Sequence, residues 1–162
     1  MKTKAVRLYG KSDLRLEEFE LPALKEDEIL VKVVSDSICM SSHKAALQGA
    51  AHKRVPDDIA ENPVIIGHEL CGEIVKVGAA LKNDWKEGQR AVVQPALKTP
   101  DGHDPGYSFR WIGGASTYIV VPPIVLEKGC LVPYEGDNFF SGSLVESLGC
   151  VLRGYKGFYH TD

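Results

Sequence analysis

The sequence predicts a mainly β, barrel-like domain that ends in a helix. Three observations support this fold class. Short segments rich in β-branched residues recur along the chain and are separated by Gly and Pro, which is typical of strands and turns. Within residues 29–34, Ile29, Val31 and Val33 share one face of an extended chain, as in a strand that is buried on one side. From Ser143 onward, the apolar residues recur instead at helical spacing.

The other elements follow in order along the chain. Residues 41–48 predict a short helix that Ser41 or Ser42 caps and Gly49 ends. Residues 95–114 are rich in Gly and Pro, so we expect an irregular stretch there, and long stretches of this kind are usually functional or mobile. The apolar positions of the final helix are Leu144, Leu148, Val151, Leu152 and Tyr155. The remaining segments predicted as strands are residues 4–9, 14–17, 64–66, 73–77, 90–94 and 117–121.

Composition limits the location and the partners of the protein. The 162 residues correspond to one domain. The 19 basic and 22 acidic residues give a formal net charge of −3 and form no basic stripe, so we expect no nucleic-acid partner. No apolar stretch approaches the roughly 20 residues of a membrane helix, so we expect no membrane partner. The N-terminus has no signal-peptide pattern, so we expect a cytoplasmic protein. Its cysteines would then be free thiols or metal ligands: Cys39, Cys71, Cys130 and Cys150.

The most specific pattern lies in residues 67–78, which read G-H-E-x-x-G-x-x-x-x-x-G. Residues 36–41 before it read D-S-I-C-M-S, and residues 88–92 and 113–118 after it read G-Q-R-A-V and G-G-A-S-T-Y. In this order, the four segments resemble the catalytic domain of zinc-dependent medium-chain alcohol and polyol dehydrogenases. The resemblance covers nearly the whole chain. It implies that residues 1–162 form a GroES-like, partly open β-barrel with a few peripheral helices and a C-terminal helix.

The same resemblance implies one catalytic zinc ion. Zinc binds thiolate, imidazole and carboxylate groups in tetrahedral sites, and a catalytic site keeps one position open. Cys39 would supply the thiolate and His68 the imidazole, while Glu69 and Glu146 are the candidates for the carboxylate. A bound zinc ion acts as a Lewis acid, which stabilises an alkoxide that loses hydride to a nicotinamide and polarises a ketone in the reverse direction.

Both carboxylates have an alternative role. Neighbouring residues of a regular strand point to opposite faces, so His68 and Glu69 reach one ion only if the strand is irregular, which the preceding glycine can provide. Otherwise Glu69 lies close to the metal without binding it. Glu146 lies in a segment that resembles the family's L-x-E-P-L, whose glutamate faces the zinc, with Ser147 in place of the proline. The alternative for Glu146 is a capping box with Ser143 at the start of the last helix.

Ser41 and His43 are the candidates for proton transfer. The family places Ser or Thr two residues after the cysteine ligand, hydrogen-bonded to the substrate oxygen as the first member of a proton relay, and Ser41 matches this position. A helix N-cap is the alternative role of Ser41. Where many relatives read C-G-T-D-x-H, this chain reads C-M-S-S-H, so the histidine comes one residue early. His43 is thus a candidate for the end of the relay, with an exposed helix histidine as the alternative.

Two features of the family have no counterpart in the sequence. No G-x-G-x-x-G motif follows a buried strand, so we expect NAD(P) to bind through a dinucleotide-binding domain beyond residue 162, and we expect the chain alone to be inactive. Residues 95–114 lack the four cysteines that bind a structural zinc in many relatives, so we expect no second zinc ion. A homo-oligomer is a further possibility for the full-length protein.

The expected substrate is a small molecule, either a polyol or a sugar phosphate, which is interconverted with its ketose. Residues 105–109, 111–114 and 134–136 are similar to family members that interconvert a ketose phosphate and a hexitol phosphate. A stand-alone GroES-like binding or chaperone module would instead explain the missing nucleotide motif, but not a thiolate, an imidazole and two carboxylates at the family's ligand positions. A zinc-free quinone-reductase-type domain shares the fold, although Cys39 together with His68 and Glu69 argues against it. The basic residues available for a phosphate, each with solvated surface as its alternative role, are Lys44, Lys53, Arg54 and Arg110.

Overall fold

The computed structural model describes residues 1–159, and strands are the most abundant regular elements among them. Within these residues there are eight strands and four α-helices. The strands are β1 (Lys2–Gly10), β2 (Asp13–Glu20), β3 (Ile29–Ser37), β4 (Val64–Ile65), β5 (Glu69–Val77), β6 (Arg90–Val93), β7 (Tyr118–Val121) and β8 (Leu131–Pro133). The helices are α1 (Met40–Gln48), α2 (Pro123–Glu127), α3 (Phe139–Ser143) and α4 (Val145–Tyr159).

The strands form two antiparallel sheets. One has the order β2-β1-β4 and the other the order β7-β3-β5-β6-β8. An isolated bridge between Ala5 and Ser116 links β1 to the segment before β7. In the described part of the chain the two sheets do not join into one closed barrel. This confirms the prediction of a mainly β, partly open fold with a few helices.

The larger core lies on the five-stranded sheet. Ile29 and Val31 of β3 pack with Ile74 of β5 and Ile119 of β7, and each is at most 1% exposed. The face that alternation predicted for β3 is therefore the buried one. This core supports the paired end of β3 and start of β5, where Ser37 lies opposite Glu69 of the G-H-E motif.

A second, smaller core connects helix α1 to the irregular segment of residues 95–114. Ala45 of α1 packs with Leu8 of β1, Val64 of β4 and Tyr107. Tyr107 is 1% exposed, although it belongs to a segment without strands or helices. The segment is thus anchored by an aromatic side chain, which holds its neighbours in place beside α1.

Helix α1 ends as predicted but begins differently. Gly49, with a φ of 57°, follows its last residue, and glycine adopts such a positive φ readily, so the helix can end there. The residue at the N-cap position is Cys39, and no side chain caps the helix. The prediction that Ser41 or Ser42 caps α1 is therefore wrong. Both hydroxyls instead contact side chains of the cavity described below.

The C-terminal segment contains two helices where one was predicted. Ser143 belongs to α3, and its hydroxyl donates to the Phe140 carbonyl at 2.8 Å and lies 2.9 Å from the Ser35 hydroxyl of β3. Because the Ser143 hydroxyl is hydrogen-bonded to partners in α3 and β3, it does not form the capping box with Glu146 that its spacing suggested. The bonds from β3 to α3 hold the beginning of α4 against the sheet.

Helix α4 forms where helical spacing predicted it, but its apolar residues are not part of a core within residues 1–159. Leu148 is 57% exposed and Val151 is 67% exposed. This helix has 15 residues, and none of the helices in the described range is both long enough and apolar enough to cross a membrane.

Candidate active site

The turn between β4 and β5 determines where the G-H-E motif points. Gly67 has a φ of 91°, which glycine adopts readily and other residues do not. A Cβ atom at this position would also lie only 2.8 Å from the Ala115 nitrogen. Strand β5 begins at Glu69, so His68 lies outside the regular strand. This irregularity allows both side chains to turn toward the same space.

Three potential metal ligands meet at this turn. The Cys39 sulfur, a His68 ring nitrogen and a Glu69 carboxylate oxygen all lie within 4.8 Å of one another. His68 is 4% exposed and Glu69 is 6% exposed, while Cys39 is partly buried. A thiolate, an imidazole and a carboxylate are the ligands that zinc takes in proteins, so the donor set fits this ion.

His68 is held in the form that a metal ligand needs. Burial lowers the pKa of His68 below its ordinary value, which favours the neutral ring. Its Nδ1 lies 3.2 Å from the Ser42 hydroxyl, and its Nε2 lies 3.3 Å from the Tyr107 hydroxyl. Both ring nitrogens therefore contact hydroxyl groups. A neutral imidazole has one N–H and one lone pair, and the lone pair is the part of the ring that a metal ion would take.

Hydroxyl groups orient both oxygens of the Glu69 carboxylate. Ser37 of β3 donates to Oε2, and Ser147 of α4 donates to Oε1 at 2.7 Å. Burial by itself raises the pKa of Glu69, but these two hydrogen bonds and the nearby His68 outweigh it, so the pKa is lowered. The carboxylate is therefore kept ionised and fixed between the sheet and the helix.

Glu146 faces the same cavity but is not part of the three-residue cluster. It lies in the first turn of α4 and accepts a hydrogen bond from the Cys150 thiol at 3.3 Å. Burial raises the pKa of Glu146, and the nearby charge of Glu69 raises it further. The structure thus brings a second carboxyl group to the cavity, one that is protonated more easily than Glu69.

Ser41 lies next to the cluster, whereas His43 does not. The Ser41 hydroxyl is 2.9 Å from the Cys39 sulfur and 2.6 Å from the Tyr107 hydroxyl. His43 is exposed on α1 and is not among the residues that line the cavity. Burial raises the pKa of Tyr107, so its hydroxyl keeps its proton. The group next to Ser41 that could continue a proton relay is therefore Tyr107 and not His43.

The cluster lies in a cavity of about 550 Å³. Two arginines also line it: Arg54, from the segment after α1, and Arg153, from α4. The Arg54 Nε forms an ion pair with Asp104 at 3.0 Å. Of the other cations considered for a phosphate, Lys53 lines an adjoining hollow, while Lys44 and Arg110 are exposed and lie outside the cavity lining.

Four residues of this site escaped the reasoning from sequence: Ser37, Asp104, Tyr107 and, as a partner of Glu69, Ser147. The sequence does contain a signal for Tyr107, which is the glycine before it. Gly106 precedes it with a φ of 76°, and a Cβ atom there would lie 2.9 Å from the His68 Cβ. A glycine next to an aromatic residue in a long irregular segment can mark a close approach of that segment to the site.

The chain is similar to known proteins over nearly its whole length. The model of the alcohol dehydrogenase GroES-like domain matches residues 25–129. An L-sorbose 1-phosphate reductase of Klebsiella pneumoniae is 56% identical over 159 residues, which are 98% of this chain and 39% of that protein. A mannitol-1-phosphate 5-dehydrogenase of Aliivibrio fischeri is 45% identical over 159 residues, 98% of this chain and 38% of that protein.

A solved structure shows the same fold. The 2R,3R-butanediol dehydrogenase of Bacillus subtilis has a TM-score of 0.72 and 28% identity, over 89% of this chain and 44% of that protein. This chain therefore spans about two fifths of the length of its curated relatives. The motifs, the fold and these comparisons agree, and the chain belongs to the alcohol dehydrogenase GroES-like domain family, within the zinc-dependent medium-chain dehydrogenases.

Proposed function

We propose that this chain is the zinc-binding catalytic domain of a dehydrogenase that interconverts a polyol or sugar phosphate and its ketose with NAD(P)(H). The cluster of Cys39, His68 and Glu69 is the observation that carries this proposal. The relatives named for L-sorbose 1-phosphate reduction and mannitol 1-phosphate oxidation favour a phosphorylated substrate, and the first of these reactions is the specific activity proposed.

Cys39, His68 and Glu69 would hold one zinc ion, and Glu146, which lines the same cavity, would supply a further carboxyl group. When bound, zinc supplies Lewis-acid stabilisation of negative charge at the substrate oxygen. The protein contributes orientation: Ser37 and Ser147 fix the Glu69 carboxylate, so its direction is set before substrate arrives.

Ser41 and Tyr107 are positioned to move a proton. Ketone reduction requires a proton at the oxygen, and the Ser41 hydroxyl is the nearest hydroxyl donor to the Cys39 sulfur in this cluster. Ser41 would pass its proton to the substrate oxygen and accept one from the Tyr107 hydroxyl 2.6 Å away. Because burial raises the pKa of Tyr107, Tyr107 would at once regain a proton from water in the cavity that both residues line. Oxidation of the alcohol runs the same path in reverse. His43 has no part in this scheme because it is exposed outside the cavity.

The nicotinamide cofactor would be bound by a dinucleotide-binding domain outside residues 1–162. Three observations support this part of the proposal. The sequence has no G-x-G-x-x-G motif after a buried strand, and the relatives are more than twice as long as the aligned region. Exposed apolar residues of α4, such as Leu148 and Val151, are suited to contact a further domain.

Metal and activity measurements test the proposal together. Elemental analysis of protein purified without chelator should find one zinc per chain. The full-length protein should reduce L-sorbose 1-phosphate with NADH or NADPH, while residues 1–162 alone should bind neither nucleotide in calorimetric titrations. Zinc binding without redox activity on any polyol or sugar phosphate would leave the domain assignment intact and refute the activity. Nucleotide binding by residues 1–162 would refute the location of the cofactor site.

A further inference from the structure

We propose that Arg54, held in place by Asp104, binds the phosphate group of the substrate. This inference rests on the proposed function, because it identifies the part of the same cavity that would distinguish a sugar phosphate from a free sugar. The proposal rests on one observation: Arg54 is paired with a buried carboxylate and lines the cavity together with the candidate metal ligands.

The Arg54 side chain is held on one side. Its Nε lies 3.0 Å from Asp104 Oδ2, and the Asp104 side chain is only 8% exposed. Asp104 is itself fixed, since its Oδ1 accepts a hydrogen bond from the Leu97 nitrogen at 3.0 Å. The Ser108 hydroxyl also bridges the backbones of Arg54 and Asp104. It donates to the Arg54 carbonyl at 2.5 Å and accepts from the Asp104 nitrogen at 3.0 Å. Such anchoring reduces the conformational entropy that an arginine loses on binding an anion.

The position of Arg54 suits a phosphate that is close to a carbonyl. Its guanidinium carbon lies 5.2 Å from the centre of the Tyr107 ring, and the Tyr107 hydroxyl is 2.6 Å from Ser41. Only one side chain thus separates the cation from the group proposed to contact the substrate oxygen. In a ketose 1-phosphate the phosphorus is three covalent bonds from the carbonyl carbon, so its phosphate must bind beside the carbonyl site.

The local charge balance also favours an anion. A phosphate monoester carries about −1.5 to −2 charges near pH 7. Arg54 and Arg153 line the cavity together with Asp104, Glu69 and Glu146. Lys53 and Lys98 add two cations in the adjoining hollow beside Arg54, so four cations stand against three carboxylates. Arginine adds a planar fork that can donate two parallel hydrogen bonds to phosphate oxygens. Arg110, by comparison, is exposed and lies over Trp111, with its guanidinium carbon 4.9 Å from that ring centre.

Substrate discrimination by the full-length protein tests this assignment. The kcat/KM values for L-sorbose 1-phosphate and for L-sorbose are measured for the wild type, Arg54→Gln, Arg54→Lys and Arg110→Gln. Arg54→Gln should lower kcat/KM for the phosphate ester about 10- to 100-fold, mainly through KM, as expected for loss of a charged hydrogen bond. It should change the value for L-sorbose much less. Arg54→Lys keeps the charge without the fork and should fall in between, and Arg110→Gln should match the wild type.

Equal losses for both substrates in Arg54→Gln, or no loss for the ester, would overturn the proposal. A wild type that reduces neither substrate would refute the proposed activity, and phosphate binding is then decided separately. Inorganic phosphate is titrated while the Arg54 Nε–H signal is followed by NMR, with Arg54→Gln providing its assignment. A saturable shift of that signal supports a phosphate site at Arg54, and its absence refutes one.

Discussion

The Ser147→Ala substitution should weaken zinc binding while the fold stays intact. Ser147 donates a hydrogen bond of 2.7 Å to Glu69 Oε1, and Ser37 donates to the other oxygen of the same carboxylate. With Ser147 removed, Glu69 keeps one of its two serine hydroxyl donors and gains freedom to rotate. The Ser147 side chain is at the half-buried start of α4, so the substitution leaves no large cavity.

The size of the effect follows from the charge of the acceptor. A hydrogen bond to a charged group contributes about 1.5–3 kcal/mol, and a half-buried donor belongs near the lower value. At about 1.4 kcal/mol per factor of ten, the expected loss of zinc affinity is about tenfold. This agrees with the 10- to 100-fold losses that are typical when an outer partner of a metal ligand is removed. The Ser37→Ala/Ser147→Ala double variant should lose more than either single variant, and not additively, because both hydroxyls bind one carboxylate.

Competition with a chromophoric chelator measures the zinc affinity of each variant. Ser116→Ala is the matched control, because its hydroxyl donates to the Gly113 carbonyl at 2.8 Å and not to the cluster. Urea unfolding of each variant checks that the fold is retained. Wild-type zinc affinity in Ser147→Ala, with the control also unchanged, would refute the idea that this hydroxyl orients a metal ligand.

Three further predictions concern the cluster and its support. Cys39→Ala should abolish tight zinc binding in chelator competition, whereas Cys130→Ala should retain it, since only Cys39 lies in the cluster; equal affinities would contradict the ligand set. Burial, with repulsion from Glu69, raises the pKa of Asp36 to about 7, while an unfolded aspartate titrates near 3.9. The metal-free protein therefore loses stability as the pH rises from about 4 to about 7, because the unfolded chain releases this proton first. In urea titrations, the free energy of unfolding of Asp36→Asn should rise relative to that of the wild type as the pH increases from about 4 to about 7. A difference between the two proteins that does not change with pH would contradict this. Gly67→Ala should destabilise the fold by at least 1–2 kcal/mol, because alanine is strained at positive φ, and should also lower zinc affinity; a wild-type melting temperature would count against it.

Local patterns were sufficient to predict most of the fold and the family. Alternating β-branched residues predicted β3, helical spacing predicted α4, and a glycine predicted the end of α1, because each signal depends on neighbours within a few residues. The motif with Cys39 and the G-H-E segment identified donors that the structure brings together. Their role as zinc ligands stays a prediction, as does a role for Glu146.

Tertiary packing decided which other groups surround those donors. Ser37 and Ser147 both donate to Glu69, although they are separated from it by 32 and 78 positions in the sequence. Tyr107, which is 66 positions from Ser41, lies beside Ser41 where His43 does not. Local patterns do not report such contacts, because a hydroxyl that suits a helix cap in sequence can satisfy its hydrogen bond elsewhere once the chain is packed. The two sheets and α3 determine which side chains share the cavity, and this depends on the path of the whole chain.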